Sequence, residues 1–228
     1  MKYDHYLIIS KTHRDVIIRS QLQLFRKILH GVPFSSAIEI GPGFGGFARY
    51  CADRGIHYSA IEENPTIAEN LRTAGHMVHL SDVRSFNAQL GPVDLVFASH
   101  VIEHLGSYWE AATVLRKSLG WLHPGGYMAL LFPEVELSWR QFCRDYTHTF
   151  PTTVRSVSKL AHDTGADVVR SSHYVGRWVS TWRLLWWTRY MLPTALLPWS
   201  LVEKIDDLFM VNGFCVLRKS TRSAGTCG

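Results

Sequence analysis

The sequence predicts an α/β fold in which a mostly parallel sheet is covered by helices on both faces. Three observations predict it. Short apolar runs alternate with helix-compatible stretches from Ala37 to Phe132. The clearest run, Val93–Ala98, is apolar on both faces apart from Asp94, as a strand inside a parallel sheet must be. A glycine cluster, Gly41, Gly43, Gly45 and Gly46, separates the first run from the first internal helix. With 228 residues, 46% hydrophobic and 19% charged, the chain suits one globular domain and excludes disorder.

The elements follow in order. Thr12 to His30 has helical spacing in Val16, Ile17, Leu24 and Ile28, with Arg14, Arg19, Arg26 and Lys27 between them. Thr12 is placed to cap that helix, and Asp15 falls in its first turn. Ala37–Ile40 is the first strand and carries an acid, Glu39. The glycines turn the chain into a helix over Phe47–Arg54. A second strand, Tyr58–Ile61, ends at Glu62. Strand, glycine turn, helix, strand and acid is the layout of a nucleotide-binding βαβ unit, in which the acid accepts hydrogen bonds from ribose hydroxyls. Val78–Val83 is a third strand bearing Asp82, and Val93–Ala98 a fourth that runs into Ser99–Leu105. A helix over Tyr108–Leu122 leads through His123-Pro124-Gly125-Gly126 to a fifth strand, Tyr127–Phe132. A helix over Thr153–Thr164, capped by Thr152 or Thr153, precedes a sixth strand at Asp167–Ser171. A seventh is expected at Phe209–Leu217.

Two ligands fit the glycine turn. Gly41-x-Gly43-x-x-Gly46 is the dinucleotide pattern, so an NAD(P)-dependent oxidoreductase is one reading. Glu39-x-Gly41-x-Gly43-x-Gly45, by contrast, resembles the glycine motif of the class I S-adenosylmethionine (SAM) methyltransferases. The resemblance extends through Glu62 with Asn64-Pro65, Asp82, the segment Asp94–Leu105 and the turn Leu122–Gly126. It covers residues 38 to 169 closely and the last strand more loosely. It implies a Rossmann-like three-layer sandwich with a seven-stranded, mostly parallel sheet whose last strand is antiparallel. It also implies SAM as cofactor. Glu39, Gly41, Gly43 and Gly45 would hold the methionine end, Glu62 the ribose and Asp82 the adenine, with Val83 and Ser99 completing the contacts. SAM carries an ammonium and a sulfonium, so a carboxylate near either is sensible electrostatics. Otherwise Glu39 is a charge within an apolar strand and needs an Arg or Lys partner. A SAM-fold protein that binds without catalysing is a third reading. The implied organisation is an N-terminal helical cap over residues 1–34, often lying over the cofactor cleft in such enzymes. The methyltransferase domain spans residues 35–219, and a small polar, disordered tail covers residues 220–228.

The acceptor side rests on two segments. Arg144–Thr153 resembles the D-x-x-H-x-x-(F)-T loop of small-molecule and sugar methyltransferases. Asp145 can orient His148, and His148 can take a proton from a hydroxyl acceptor. The other reading makes His148 a loop anchor bonded to a backbone carbonyl. His100 faces the cleft more plausibly than His104, which is read as structural. Asp145, His148 and His104 match no metal spacing, so no metal is expected. The second segment, residues 177–201, holds five tryptophans and is interrupted by Arg189, Pro193 and Pro198. It is compatible with a membrane-interface surface, a wall for a lipid-linked acceptor, a homodimer face or a lid packed on the core. The acceptor implied is a small molecule, sugar-containing or lipid-linked. Net charge is +5 with a pI near 9.1, which favours anionic partners, but no basic run or RNA motif points to nucleic acid. Four scattered cysteines fit a reducing compartment, and Leu7–Ile9 is too short for a signal-peptide core, so a cytoplasmic protein is expected, with peripheral membrane contact possible.

Overall fold

The structure, a computed structural model, describes residues 11–176, 184, 187 and 197–220. Its strands are β1 (Ser36–Ile40), β2 (His57–Glu62), β3 (Met77–Leu80), β4 (Val93–Ser99), β5 (Leu122–Pro133), β6 (Ala166–Val175) and β7 (Val211–Lys219). They form one sheet in the order β3-β2-β1-β4-β5-β7-β6. The pairs β1–β2, β1–β4, β2–β3 and β4–β5 are parallel, while β7 lies antiparallel between β5 and β6. The helices are α1 (Lys11–Ile28), α2 (Gly46–Ala52), α3 (Pro65–Thr73), α4 (Tyr108–Gly120), α5 (Val135–Arg144), α6 (Val154–Asp163) and α7 (Trp199–Leu208). This is the Rossmann-like three-layer sandwich that the sequence predicts.

Alternate residues of each central strand feed two cores, one on each face. Val96 and Ala98 of β4, with Met128 and Leu130 of β5, meet Leu115 of α4 and Leu160 of α6. Leu95 and Phe97, with Ala129 and Leu131, meet Leu24 and Phe25 of α1 and Phe47 of α2. Phe25 makes edge contacts with Phe47 and Phe97, which stack on each other at 4.1 Å, and this aromatic knot fastens α1 to the sheet.

Boundaries differ from expectation where side chains redirect the backbone. β3 stops at Leu80, because Asp82 heads a turn in which its own carboxylate accepts from the Arg84 amide and its carbonyl accepts from the Phe86 amide. β5 starts at Leu122, since Leu122 already pairs with Val93 before the Pro-Gly-Gly turn, and a register shift follows. α5 is unexpected. It is kinked at Ser138 (φ −140°, ψ 38°), whose hydroxyl accepts from the Val211 amide at 2.8 Å. Thr12 lies inside α1 and not at its cap position. β7 begins at Val211, two residues late, because the chain up to Leu208 belongs to α7, which the tryptophan content hid. Thr153 makes the expected cap of α6, as a capping box with Ser156. The expected tail and most of residues 177–201 lie outside the described residues. Leu184 and Trp187 are described, and both are exposed.

Asp94, within the segment that suggested a cofactor-fold motif, does architectural work. Its Oδ2 accepts from the amides and hydroxyls of Ser35 and Ser36 at 2.8–3.0 Å, and its own amide donates to Ser36 Oγ. The chain entering β1 is thus tied to β4. The Ser35 amide, foremost among these donors, holds the Asp94 carboxyl below its ordinary value. Its contribution is therefore present above the unfolded value of 3.8 and is lost as pH falls through the lower folded value. Asp94→Ala is expected to cost about 1–2 kcal/mol, lowering the melting temperature by roughly 3–6 °C at pH 7. Thermal denaturation at pH 7 and pH 3 checks this, and the two proteins should differ less at pH 3.

Candidate active site

Strand order reverses between β1 and β4, and a crevice opens there beyond the carboxyl ends of the strands. It encloses about 330 Å³, within the usual range for small-molecule sites. Glu39, Gly41, Gly43, Glu62, Asp82, Val83 and Ser99 line it, together with His100. Eight of the predicted residues therefore converge from four strand ends. Three do not reach the cavity: Gly45, Asp145 and His148. The sequence reading missed Ile17, Gln21 and Phe25 of α1 as individual wall residues, although it expected the helix over the cleft.

The glycine turn explains its own composition. Gly41, Gly43 and Gly45 all have positive φ, at 67°, 51° and 77°. A Cβ on Gly41 would lie 2.8 Å from Val101, and one on Gly45 would lie 2.9 Å from Leu71. Gly43 is different, since nothing stands within 4 Å of its Cβ position. Gly43 is thus the turn glycine that a ligand can approach face-on. Gly45 faces α3 and lets the chain enter α2, and it does not line the cavity.

Two acids form the floor. Glu39 is 3% exposed, and its Oε2 accepts from the Tyr58 hydroxyl at 2.5 Å. Glu62 is 6% exposed and accepts from the Asn64 amide at 2.7 Å. Asn64 in turn caps α3 by accepting from the amides of Thr66 and Ile67, which holds Glu62 at the mouth of a fixed turn. Neither carboxylate has a basic partner among the described residues. Burial pushes Glu39 up to about 8, the Tyr58 hydrogen bond pulls it down, and the charge of Glu62 raises it further. Burial raises Glu62 also, against the amides of Asn64, Glu63 and Gly43. At the rim, Asp82 is gripped by Arg84, with contacts of 2.6–3.0 Å to both carboxylate oxygens. A ligand meeting Asp82 shares it with that guanidinium.

The wall opposite the glycine turn is built of histidines. His100 takes a φ of 56°, unusual for a side-chain-bearing residue, and its Nδ1 lies 3.1 Å from Oε1 of the fully buried Glu103. His104 places Nδ1 3.2 Å from the Thr147 carbonyl and 3.0 Å from Thr147 Oγ1. Thr147 Oγ1 donates to Asp145 Oδ1 at 2.6 Å. His148 sits behind this wall, 11% exposed, its ring 4.9 Å from that of His104. Its Nδ1 is 3.0 Å from the Phe142 carbonyl, and its Nε2 approaches Asp145 only to 3.7 Å. The expected pair, Asp145 orienting His148 toward the acceptor, is therefore not what the geometry gives. Asp145 acts through Thr147 on His104. Burial pushes Asp145 up, but the Thr147 hydrogen bonds outweigh it and keep the carboxyl below its ordinary value. Burial lowers His104, which keeps that ring neutral. Glu103, His104 and His148 each present a ligand-capable atom, all within 4.8 Å of one another. The sequence reading weighs His104 and His148 with Asp145 and finds no metal spacing; the structure groups them with Glu103 instead.

Residues 38–130 match the family model described as a methyltransferase domain. No curated protein sequence matches the chain significantly. Solved structures share its architecture. A SAM-dependent methyltransferase from Archaeoglobus fulgidus superposes with a TM-score of 0.64 at 17% identity, over 90% of this chain and 94% of that one. The N-methyltransferase NodS from Bradyrhizobium japonicum, in complex with S-adenosyl-L-homocysteine, gives 0.61 at 17%, over 93% and 90%. The cyclopropane synthase MmaA2 from Mycobacterium tuberculosis gives 0.60 at 17%, over 90% and 83%. Identities this low speak for the fold alone, while the family match speaks for the domain within it. Residues 38–130 thus carry a methyltransferase domain, set in a fold that SAM-dependent methyltransferases share.

Proposed function

We propose that the crevice binds SAM and transfers its methyl group to a hydroxyl of a small-molecule acceptor, sugar-containing or lipid-linked. The observation that carries the cofactor reading is the pair of buried acids that have no basic partner among the described residues. Burying an unpaired carboxylate is costly, and a ligand bearing an ammonium and a sulfonium would relieve that cost. Glu39 with Gly41 and Gly43 takes the methionine end, Glu62 the ribose hydroxyls, and Asp82 with Val83 and Ser99 the adenine side. A nicotinamide dinucleotide carries phosphates, which two buried acids would repel. Catalysis is chiefly alignment of acceptor, methyl carbon and sulfur. The acceptor oxygen forms the new bond as the carbon–sulfur bond breaks, its electron pair returning to sulfur. An acceptor hydroxyl must also lose a proton, and a wall of imidazoles suits that need better than an amine's. His100, facing the cavity, replaces His148 as the residue nearest that role. The exposed side chains of Leu184 and Trp187 support an acceptor with an apolar part. No helix among the described residues is long and apolar enough to cross a membrane.

Two measurements test this reading. Glu62→Ala removes two ribose hydrogen bonds worth roughly 1–1.5 kcal/mol each, so SAM affinity should fall about ten- to a hundredfold. Calorimetric titration of SAM, with NADH as the comparison ligand, checks it. Unchanged SAM affinity in the folded variant, or tight NADH binding, overturns the assignment.

Glu39 supplies the second. Its folded value near 8 exceeds the ordinary 4.5, so between these the native state holds a proton that the unfolded chain has released. Stability of the free protein should therefore fall as pH rises from 5 to 8. Glu39→Gln should flatten that slope. SAM's ammonium would lower the Glu39 value, so binding at pH 7 should release a proton in the wild type and not in Glu39→Gln. Binding enthalpies in buffers of different ionisation heat report that proton directly.

A further inference from the structure

We infer that Glu103, His104 and His148 form a binding site for a divalent transition-metal ion, placed to hold the acceptor hydroxyl beside the cofactor cavity. The inference rests on the SAM reading for its purpose but on its own geometry for its existence. The three ligand atoms lie within 4.8 Å of one another, and two imidazoles with one carboxylate suit ions from Mn²⁺ to Zn²⁺.

Hydrogen bonding prepares each ligand. The Phe142 carbonyl can only accept, so His148 Nδ1 carries the proton and Nε2 keeps its lone pair. Thr147 Oγ1 gives its proton to Asp145 and so accepts from His104 Nδ1, again leaving the lone pair on Nε2. Carbonyl and carboxylate-linked partners behind metal-binding imidazoles are the usual device for fixing ring orientation. Glu103 completes the set. Its side chain is fully buried, its Oε1 meets His100, and its Oε2 has no hydrogen-bond partner. A buried carboxylate oxygen left without a partner is expensive, and a cation is the ligand that would satisfy it.

The placement bears on chemistry, because His104 also lines the cofactor cavity. An ion there would meet an acceptor hydroxyl next to the SAM methyl group and lower its pKa. The hydroxyl proton passes to solvent or to His100, the oxygen takes the methyl carbon, and the sulfonium becomes a neutral thioether. A hydroxyl-bearing acceptor is thereby preferred over an amine.

The test uses the full chain stripped with EDTA. Mn²⁺ is titrated and the free-ion signal followed by electron paramagnetic resonance, with SAM affinity measured in parallel by calorimetry. One Mn²⁺ per chain is expected in the wild type. Removing a ligand in His148→Ala or Glu103→Gln should weaken it at least tenfold, since even outer-shell changes cost 10–100-fold, while His123→Ala, at the distant Pro-Gly-Gly turn, should leave it unchanged. Circular dichroism melting shows which variants fold, and His148→Ala carries the test if Glu103→Gln does not. A wild type that binds SAM but no Mn²⁺, or a His148→Ala protein that binds Mn²⁺ as well as the wild type, overturns the proposal. Binding of Mn²⁺ without SAM would sustain the metal site and sink the cofactor reading alone.

Discussion

Two carboxylates buried at the floor of one crevice, with no cation against them among the described residues, are the constraint around which the structure is arranged. Glu39 is carried in by the central strand and Glu62 by its neighbour, so their closeness follows from the parallel pairing of β1 with β2. The tyrosine hydroxyl on Glu39 and the amide on Glu62 favour the charged forms, against the burial that raises both carboxyls. The glycine turn leaves its ligand-facing side open, and α1 closes the top through the aromatic knot around Phe25. The site is preorganised for positive charge before any ligand arrives.

The cavity lining was legible because it is local. Each predicted lining residue sits at or just beyond the end of a strand, and strand, turn and acid recur at spacings that a linear reading detects. Gly45 shows the limit of that reading. It belongs to the motif by sequence, but its contact is with Leu71, and only the backbone path tells packing from ligand binding. Asp94 shows it again, since a motif acid turned out to tie two serines at the start of β1.

His100 was found, but the relay behind the histidine wall was not legible, for a different physical reason. It is assembled across more than forty residues and through an intermediate, Thr147, whose hydroxyl passes the influence of Asp145 to His104. No spacing rule encodes a relay through a side chain that reads as an ordinary loop threonine. Sequence reasoning therefore found Asp145 and His148 but paired them for catalysis and weighed His104 only for a metal, while the fold links both to His104. α5 escaped for a related reason, since its kink at Ser138 is stabilised by the amide of Val211, far along the chain.

The position of β7 has a consequence for how the molecule is made. Within the described residues, β6 pairs only with β7, and β7 is the sole link from β6 to the rest of the sheet. A nascent chain that has emerged as far as Val175 can complete the parallel half from β3 to β5, with the cofactor floor already in place. Yet β5 and β6 then both present unpaired edges, which invite association with other chains. Only residues 211–219 close them. The last-made of the described strands is thus the one that ends this period of aggregation risk, while the ligand-binding half is finished well before it.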